Sequence, residues 1–190
     1  MTEVDTAWVP LGDVVDSREI ENRDRFELAL DALLRQLNEA YGRDLVADFD
    51  RLKGIDEIGA VLGSVKSLVE IRRALTLGLH PEQIRLVVYR GEVSDLSGES
   101  VGKMDGSAFA GAGDELSRIE EKGQTFAISG LPMQEKYVSA VLNLTDHIRS
   151  GWTGSRVRAI RAYERYGSQA EAAELLGITP QAVNQHLNSQ

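Results

Sequence analysis

The sequence predicts an α+β fold, a βαββαβ sheet domain followed by a small all-α helix-turn-helix domain. Three observations carry that prediction. Runs of strand-type residues alternate with segments whose apolar residues recur at helical spacing. The clearest strand run, Ile84 to Tyr89 (IRLVVY), lies between two such segments. The end of the chain then changes to short helical segments punctuated by Gly177 and Pro180.

Taken in order, Ala7 to Val15 (AWVPLGDVV) is an apolar run expected as a strand, with Pro10 placing it near an edge or making it irregular. Arg23 to Ala40 has apolar residues at Phe26, Leu28, Ala29, Leu30, Leu33, Leu34 and Leu37, the spacing of an amphipathic helix. Leu45 to Phe49 and Leu52 to Ile58 read as strands around a charged turn. Ile58 to Leu77 reads as a second helix, ending near Gly78. After the strand at Ile84, the glycine-rich stretch from Gly91 to Gly113 reads as loop, with a helix entering near Ser107. Thr125 to Ser129 is a short strand and Pro132 to Arg149 a long helix. The helices are expected on one face of a mixed sheet. Gly151-Trp152-Thr153-Gly154 is the hinge, which divides the chain into domains 1–150 and 151–190.

The tail carries the most specific spacing. Ser155 to Tyr166 reads as a helix with Val157, Ile160 and Tyr163 or Tyr166 inward. Gln169 to Leu176 and Pro180 to Asn188 read as a helix-turn-helix. Ala173 falls where only a small side chain fits, and Gly177 falls where the first helix needs a left-handed ending. Thr179 caps the second helix, and Pro180 takes its first position, where a missing N–H costs nothing. Leu175, Leu176, Ile178, Val183 and Leu187 are the expected apolar contacts. Gln181, Asn184, Gln185 and Asn188 face outward on the second helix, and amide side chains pair bidentately with adenine in the major groove. Ser168, Thr179, Arg156 and Arg158, with Arg161 and Arg165, are the expected phosphate contacts. The partner this implies is double-stranded DNA.

Composition narrows the classes. At 42% apolar and 27% charged residues the chain has ordinary globular character. No window reaches the roughly 18 apolar residues of a membrane span, and the acidic start is unlike a signal peptide, so a cytoplasmic protein is expected. With no cysteine and three scattered histidines, no disulfide, thiolate zinc site or cysteine nucleophile is available. No Ser–His–Asp arrangement is visible, no catalytic residue is assigned, and a non-enzymatic protein is the leading reading. The net charge of −9 is unevenly placed. From Gly151 onward four Arg stand against three Glu, giving +1, so the preceding residues carry −10. DNA would therefore meet the tail alone. One tail neutralises few phosphates, so a homodimer is the expected binding form.

The front half has a resemblance of its own. Gly12-Asp13-Val14-Val15-Asp16-Ser17-Arg18-Glu19-Ile20 resembles the opening of the SatD-like family. Lys53-Gly54-Ile55-Asp56-Glu57-Ile58 sits where that family tends to have a Gly-Asp-Glu-Phe turn, with Ile55 and Ile58 departing from it. Ile84 to Val93 and Gly102 to Phe109 are similar to its later strand and glycine-rich loop. The resemblance covers roughly residues 9–130. More distantly, the pattern is similar to the palm-like, ferredoxin-like core of class III nucleotide cyclases. That likeness implies Asp13 and Asp56 as metal ligands, with Glu57 beside the second. It also implies Mg²⁺ with a nucleotide as the possible ligand, and Arg18, Lys53, Arg90 and Lys103 as candidates for its phosphates or base. Read from the residues alone, Asp13 and Asp16 cap the helix that follows. Two functions stand side by side: a DNA-binding regulator with a front sensor or dimerisation domain, and a metal-dependent nucleotide-binding or cyclase-like domain with an accessory tail.

Overall fold

Eleven residues, Val4–Val14, form the first strand, β1, and everything in the front unit is arranged around it. The computed structural model describes residues 4–52, 54, 56–94 and 100–188. Helix α1 (Arg23–Tyr41) follows, then strands β2 (Leu45–Arg51) and β3 (Glu57–Leu62), helix α2 (Leu68–Leu79) and strand β4 (Ile84–Ser94). Helix α3 (Ser107–Glu121), strand β5 (Phe126–Ser129) and helix α4 (Glu135–Ser150) complete this part. The tail holds α5 (Gly154–Tyr166), α6 (Gln169–Leu176) and α7 (Pro180–Asn188). Contacts gather into two units, Met1–Asp146 and His147–Gln190, a division that falls inside α4. No helix among the described residues is long and apolar enough to cross a membrane.

The sheet order is β2-β3-β1-β4-β5, antiparallel except for the parallel β4–β5 pair. This is the α+β arrangement expected, with two departures. Pro10 sits in a central strand, not at an edge. Its cost is confined to one side: β1 pairs with β4 continuously from Val4 to Val14, whereas the recorded pairs with β3 pass from Trp8↔Leu62 to Leu11↔Gly59. Second, both sheet faces are covered. Trp8 and Val14 pack with Phe26 of α1, Ile71 of α2 and Leu142 of α4. Ala7, Val9 and Leu11 pack with Ala108, Ala112 and Ile119 of α3 on the other face.

Residues 58–62 are strand, not the start of a helix. Ile58 to Leu62 are all buried, so the period-two signal of a half-exposed strand is missing. Gly59 lets the Leu52 side chain lie against the strand, since a Cβ would stand 2.7 Å from Leu52 Cδ1 and push it aside. The glycine-rich stretch is also more ordered than its composition suggests. β4 continues through Gly91 to Ser94, and α3 packs directly onto Gly91.

Among the described residues one ion pair is enclosed, with side chains 1% and 5% exposed. Arg72 of α2 donates through Nε (3.0 Å) and Nη2 (2.5 Å) to Asp146 Oδ2 of α4. Arg72 Nη2 also reaches the carbonyls of Ile84 (2.9 Å) and Thr125 (3.1 Å), and the Thr125 hydroxyl donates to the same carboxylate. Burial pushes the guanidinium pKa down and Asp146 opposes that shift. The pair ties the C-terminal half of α4 to the sheet.

Candidate functional site

The two carboxylates expected in the front unit lie close together. Asp13 is near the end of β1, where its Cα partners are Glu57 on β3 and Arg85 on β4. Alternation along β1 puts it on the face covered by α3. Asp56 lies in the turn just before β3, and its carbonyl accepts from the Val14 N–H at 3.1 Å. Gly12 lets the strands approach here, since a Cβ would be 2.8 Å from the Arg85 carbonyl.

Each carboxylate has one oxygen engaged. Arg85 Nη1 donates to Asp13 Oδ2 at 3.1 Å and lies 3.4 Å from Glu120 of α3. Ser17 Oγ donates to Asp56 Oδ2 at 2.5 Å. Asp13 Oδ1 is buried and has no hydrogen-bond partner among the described residues. Desolvation raises the Asp13 pKa, the charges of Glu120 and Asp56 add to that, and Arg85 pulls it down. Ser17, Arg85 and Glu120 were not among the expected site residues. An arginine within the apolar run IRLVVY is a local signal that could have found Arg85; nothing local marks Ser17 or Glu120.

Neither aspartate caps the next helix. Asp16 adopts a left-handed conformation (φ 52°) ahead of a single 3-10 turn and makes no side-chain cap. The cap of α1 is Asn22, whose side chain accepts from the Arg25 N–H at 3.0 Å. Of the cationic candidates, Arg18 and Lys103 are exposed, Arg90 lies over the Trp8 ring at 5.7 Å, and Lys53 lies outside the described residues, as does Ile55. Gly106 sits where a Cβ would be 2.2 Å from the Glu92 carbonyl, so it serves close backbone packing. Among the described residues no group of three or more His, Asp or Glu gathers at one point. Asp13 and Asp56 alone would offer a divalent cation two protein carboxylates. That fits Mg²⁺, which one or two carboxylates hold when phosphate oxygens complete the shell.

In the tail, each helix start has a side-chain cap. Thr153 accepts from Arg156 N–H (3.3 Å), Ser168 from Glu171 N–H (3.4 Å) and Thr179 from Ala182 N–H (3.2 Å). Gly167 and Gly177 end α5 and α6 in the left-handed region, at φ 69° and 65°. Ala162, Ala172, Ala173 and Val183 form the small core, with Leu176 and Leu187 against it. Several side chains depart from expectation. Leu175 and Ile178 are exposed, at 56% and 39%, and so are Tyr163 and Tyr166; Ala159 and Ala162 take the inward positions on α5. With alanines at the contact, the helices sit too close for those larger side chains to enter.

Gln181, Asn184, Gln185 and Asn188 are all exposed on α7, and Arg158 is exposed on α5. They are not equivalent. Asn184 Oδ1 accepts from Gln169 Nε2 (3.2 Å) and Asn188 Nδ2 (2.9 Å), so these amides are held within the unit. Arg156 stacks on Trp152 at 4.4 Å, with Nε buried and without a hydrogen-bond partner among the described residues, which makes it a packing residue as well as a cation.

The profile of the SatD family matches residues 9–190. Among curated proteins no match is found. Two solved structures of a bacterial light-regulated adenylyl cyclase align with TM-scores of 0.48 and 0.49 at 14% identity, over 67% of this chain and 44% of theirs. The chain thus spans less than half the length of those structures. The family match takes in both the sheet unit and the tail helices, and the chain belongs to the SatD family.

Proposed function

We propose that this chain is a DNA-binding protein, a transcription regulator whose tail works as a helix-turn-helix. One observation carries the reading: α6 ends in the left-handed Gly177, Thr179 caps α7 at once, and α7 then presents Gln181 and Gln185 to solvent. In this reading α7 enters the major groove and the two glutamines contact base edges. Asn184 and Asn188 brace α7, through the hydrogen bonds they already make. Arg158, Arg161 and Arg165 meet phosphates. The domain to about residue 150 serves as sensor or dimerisation module in the cytoplasm.

Salt dependence tests this directly. Three arginine–phosphate contacts per tail give a slope of log K against log[salt] of about −2.7 for each bound tail. Fluorescence anisotropy with duplex DNA at several salt concentrations reads that slope. Binding that ignores salt, or no binding below roughly 50 mM salt, would remove the tail from DNA.

A second reading has its own observation, the buried and unpartnered Asp13 Oδ1 beside Asp56. Asp13 and Asp56 would hold Mg²⁺ against the phosphates of a nucleotide. When bound, the metal would screen the carboxylates from each other and from phosphate charge. Ser17 and Arg85 would keep the two acids in orientation. Nucleotide binding that requires Mg²⁺ or Mn²⁺, and that disappears in Asp13→Asn and Asp56→Asn, is the expected result. Equal binding with and without metal would exclude it. The two readings are compatible, with the front unit as the sensor for the tail.

A further inference from the structure

We propose that the outer face of α4 is a self-association surface, on which a second copy of this chain seats the same face of its own α4. This goes beyond the DNA-binding reading and does not depend on it.

The inner face of α4 is fully used. Leu142 is buried in the sheet core, Asn143 bonds the backbone of Thr125 and Phe126, and Asp146 holds Arg72. The outer face carries Tyr137, Val141, Leu144 and Ile148, with Met133 just ahead of the helix. They are 75%, 58%, 59%, 53% and 87% exposed. The helical four have spacings of four, three and four residues, the a/d pattern by which one helix seats against another. Other large exposed apolar residues, such as Leu28 of α1, Val46 of β2 and Val69 of α2, each lie on a different element. Scattered residues of that kind need no partner, whereas a contiguous stripe marks an interface.

Area and charge both favour a second copy as the occupant. Taking about 200 Å² for the tyrosine and about 100 Å² for each aliphatic side chain, the stripe leaves on the order of 400 Å² exposed per copy. A standard interface takes about 800 Å² from each partner, so the stripe supplies about half of it and its flanks the remainder. The whole chain carries −9, so two copies repel over most of their surfaces. α4 is the exception: Glu135 and Asp146 stand against Lys136 and Arg149, a net of zero, and no charged residue interrupts the stripe. Self-contact is also isologous, which a single repeated apolar seam satisfies without a complementary partner surface. Only three residues separate Ser150, the end of α4, from α5. Pairing through α4 would therefore tether two tails to one dimer, which supplies the second set of phosphate contacts a weakly cationic tail lacks.

The test uses the full chain and sedimentation velocity at concentrations from about 1 to 100 μM. The expected wild-type mass is about twice 20.9 kDa. Val141→Glu alone and Leu144→Lys alone are each expected to weaken association at least tenfold and to sediment as monomers. Both positions are exposed, so unchanged circular-dichroism melting is the check that the fold is kept. An equimolar mixture of the two variants is expected to recover dimer, because opposite charges then lie within one turn of each other across the seam. A wild type that stays monomeric throughout the range would overturn the proposal, as would dimers that persist in both variants or a mixture that fails to recover. Dimerisation without DNA binding would count against the tail reading alone, and DNA binding by a monomer against this one alone.

Discussion

Replacing Asp146 by asparagine tests whether the buried pair organises the front unit. Arg72 is 1% exposed, so water cannot take over the role of the lost carboxylate. Asparagine keeps one acceptor for Arg72 Nε or Nη2, but the guanidinium charge is left uncompensated in a low-dielectric site. Breaking a buried pair from one side costs about 3–5 kcal/mol. The retained acceptor places Asp146→Asn near the lower end, at roughly 3 kcal/mol, a large part of the 5–15 kcal/mol stability of an ordinary domain. Arg72→Met is expected to cost as much or more, because the carbonyls of Ile84 and Thr125 also lose their donor. Combining Arg72→Met with Asp146→Leu removes both charges, so the pair should lose at least about 2 kcal/mol less than the two single changes added together. Urea unfolding followed by Trp8 fluorescence, in a Trp152→Phe background, confines the signal to the front unit. Asp146→Asn within about 1 kcal/mol of the parent protein would mean that solvent or rearrangement replaces the pair, and that the pair does not organise the front unit.

Asp13 gives a prediction with a definite sign. Its folded pKa is raised, so the charged form is disfavoured in the folded state and costs stability above that pKa; the cost vanishes as pH falls through it. Asp13→Asn is therefore expected to be more stable than the parent at pH 7, with the gain gone at about pH 3, as read from urea midpoints; an Asn variant less stable at pH 7 would reverse the assignment. Gly177→Ala should weaken the tail by about 1–2 kcal/mol, and Gly177→Asn by less, because only backbone strain opposes a Cβ there; melting followed by Trp152 fluorescence reads the difference. Gln181→Ala or Gln185→Ala should each cost about 1–3 kcal/mol at one base position while leaving the salt slope unchanged. Arg158→Ala should instead reduce the slope by about 0.9 for each bound tail and leave sequence preference intact.

How much of this was legible in the sequence depends on the range of the interaction. The tail's helix bounds and caps are set by contacts three or four residues apart, as from Thr179 to Ala182 and Ser168 to Glu171, and local spacing reveals those. α1 was legible for the same reason. The strand β3 was not, because burial on both faces removes alternation and leaves an apolar run that suits a helix equally well. Near the carboxylates, Asp13 and Asp56 were visible as residues, but Arg85 and Glu120 reach them only through the β1–β4 register and the seating of α3 on the second face. The Arg72–Asp146 pair was invisible for a similar reason: nothing near either residue signals a partner 74 positions away. Within the tail, the amide row on α7 was legible as a set, whereas the internal bonds that separate Asn184 and Asn188 from Gln181 and Gln185 were not.

Base reading by α7 is tested by selection of the full chain against a randomised duplex DNA pool, with the Gln181→Ala, Gln185→Ala double variant alongside. An enriched motif containing A·T pairs is expected for the parent chain, with loss of preference at those positions in the variant and phosphate-driven binding retained. No enrichment by the parent chain, or an identical motif from the variant, would contradict it.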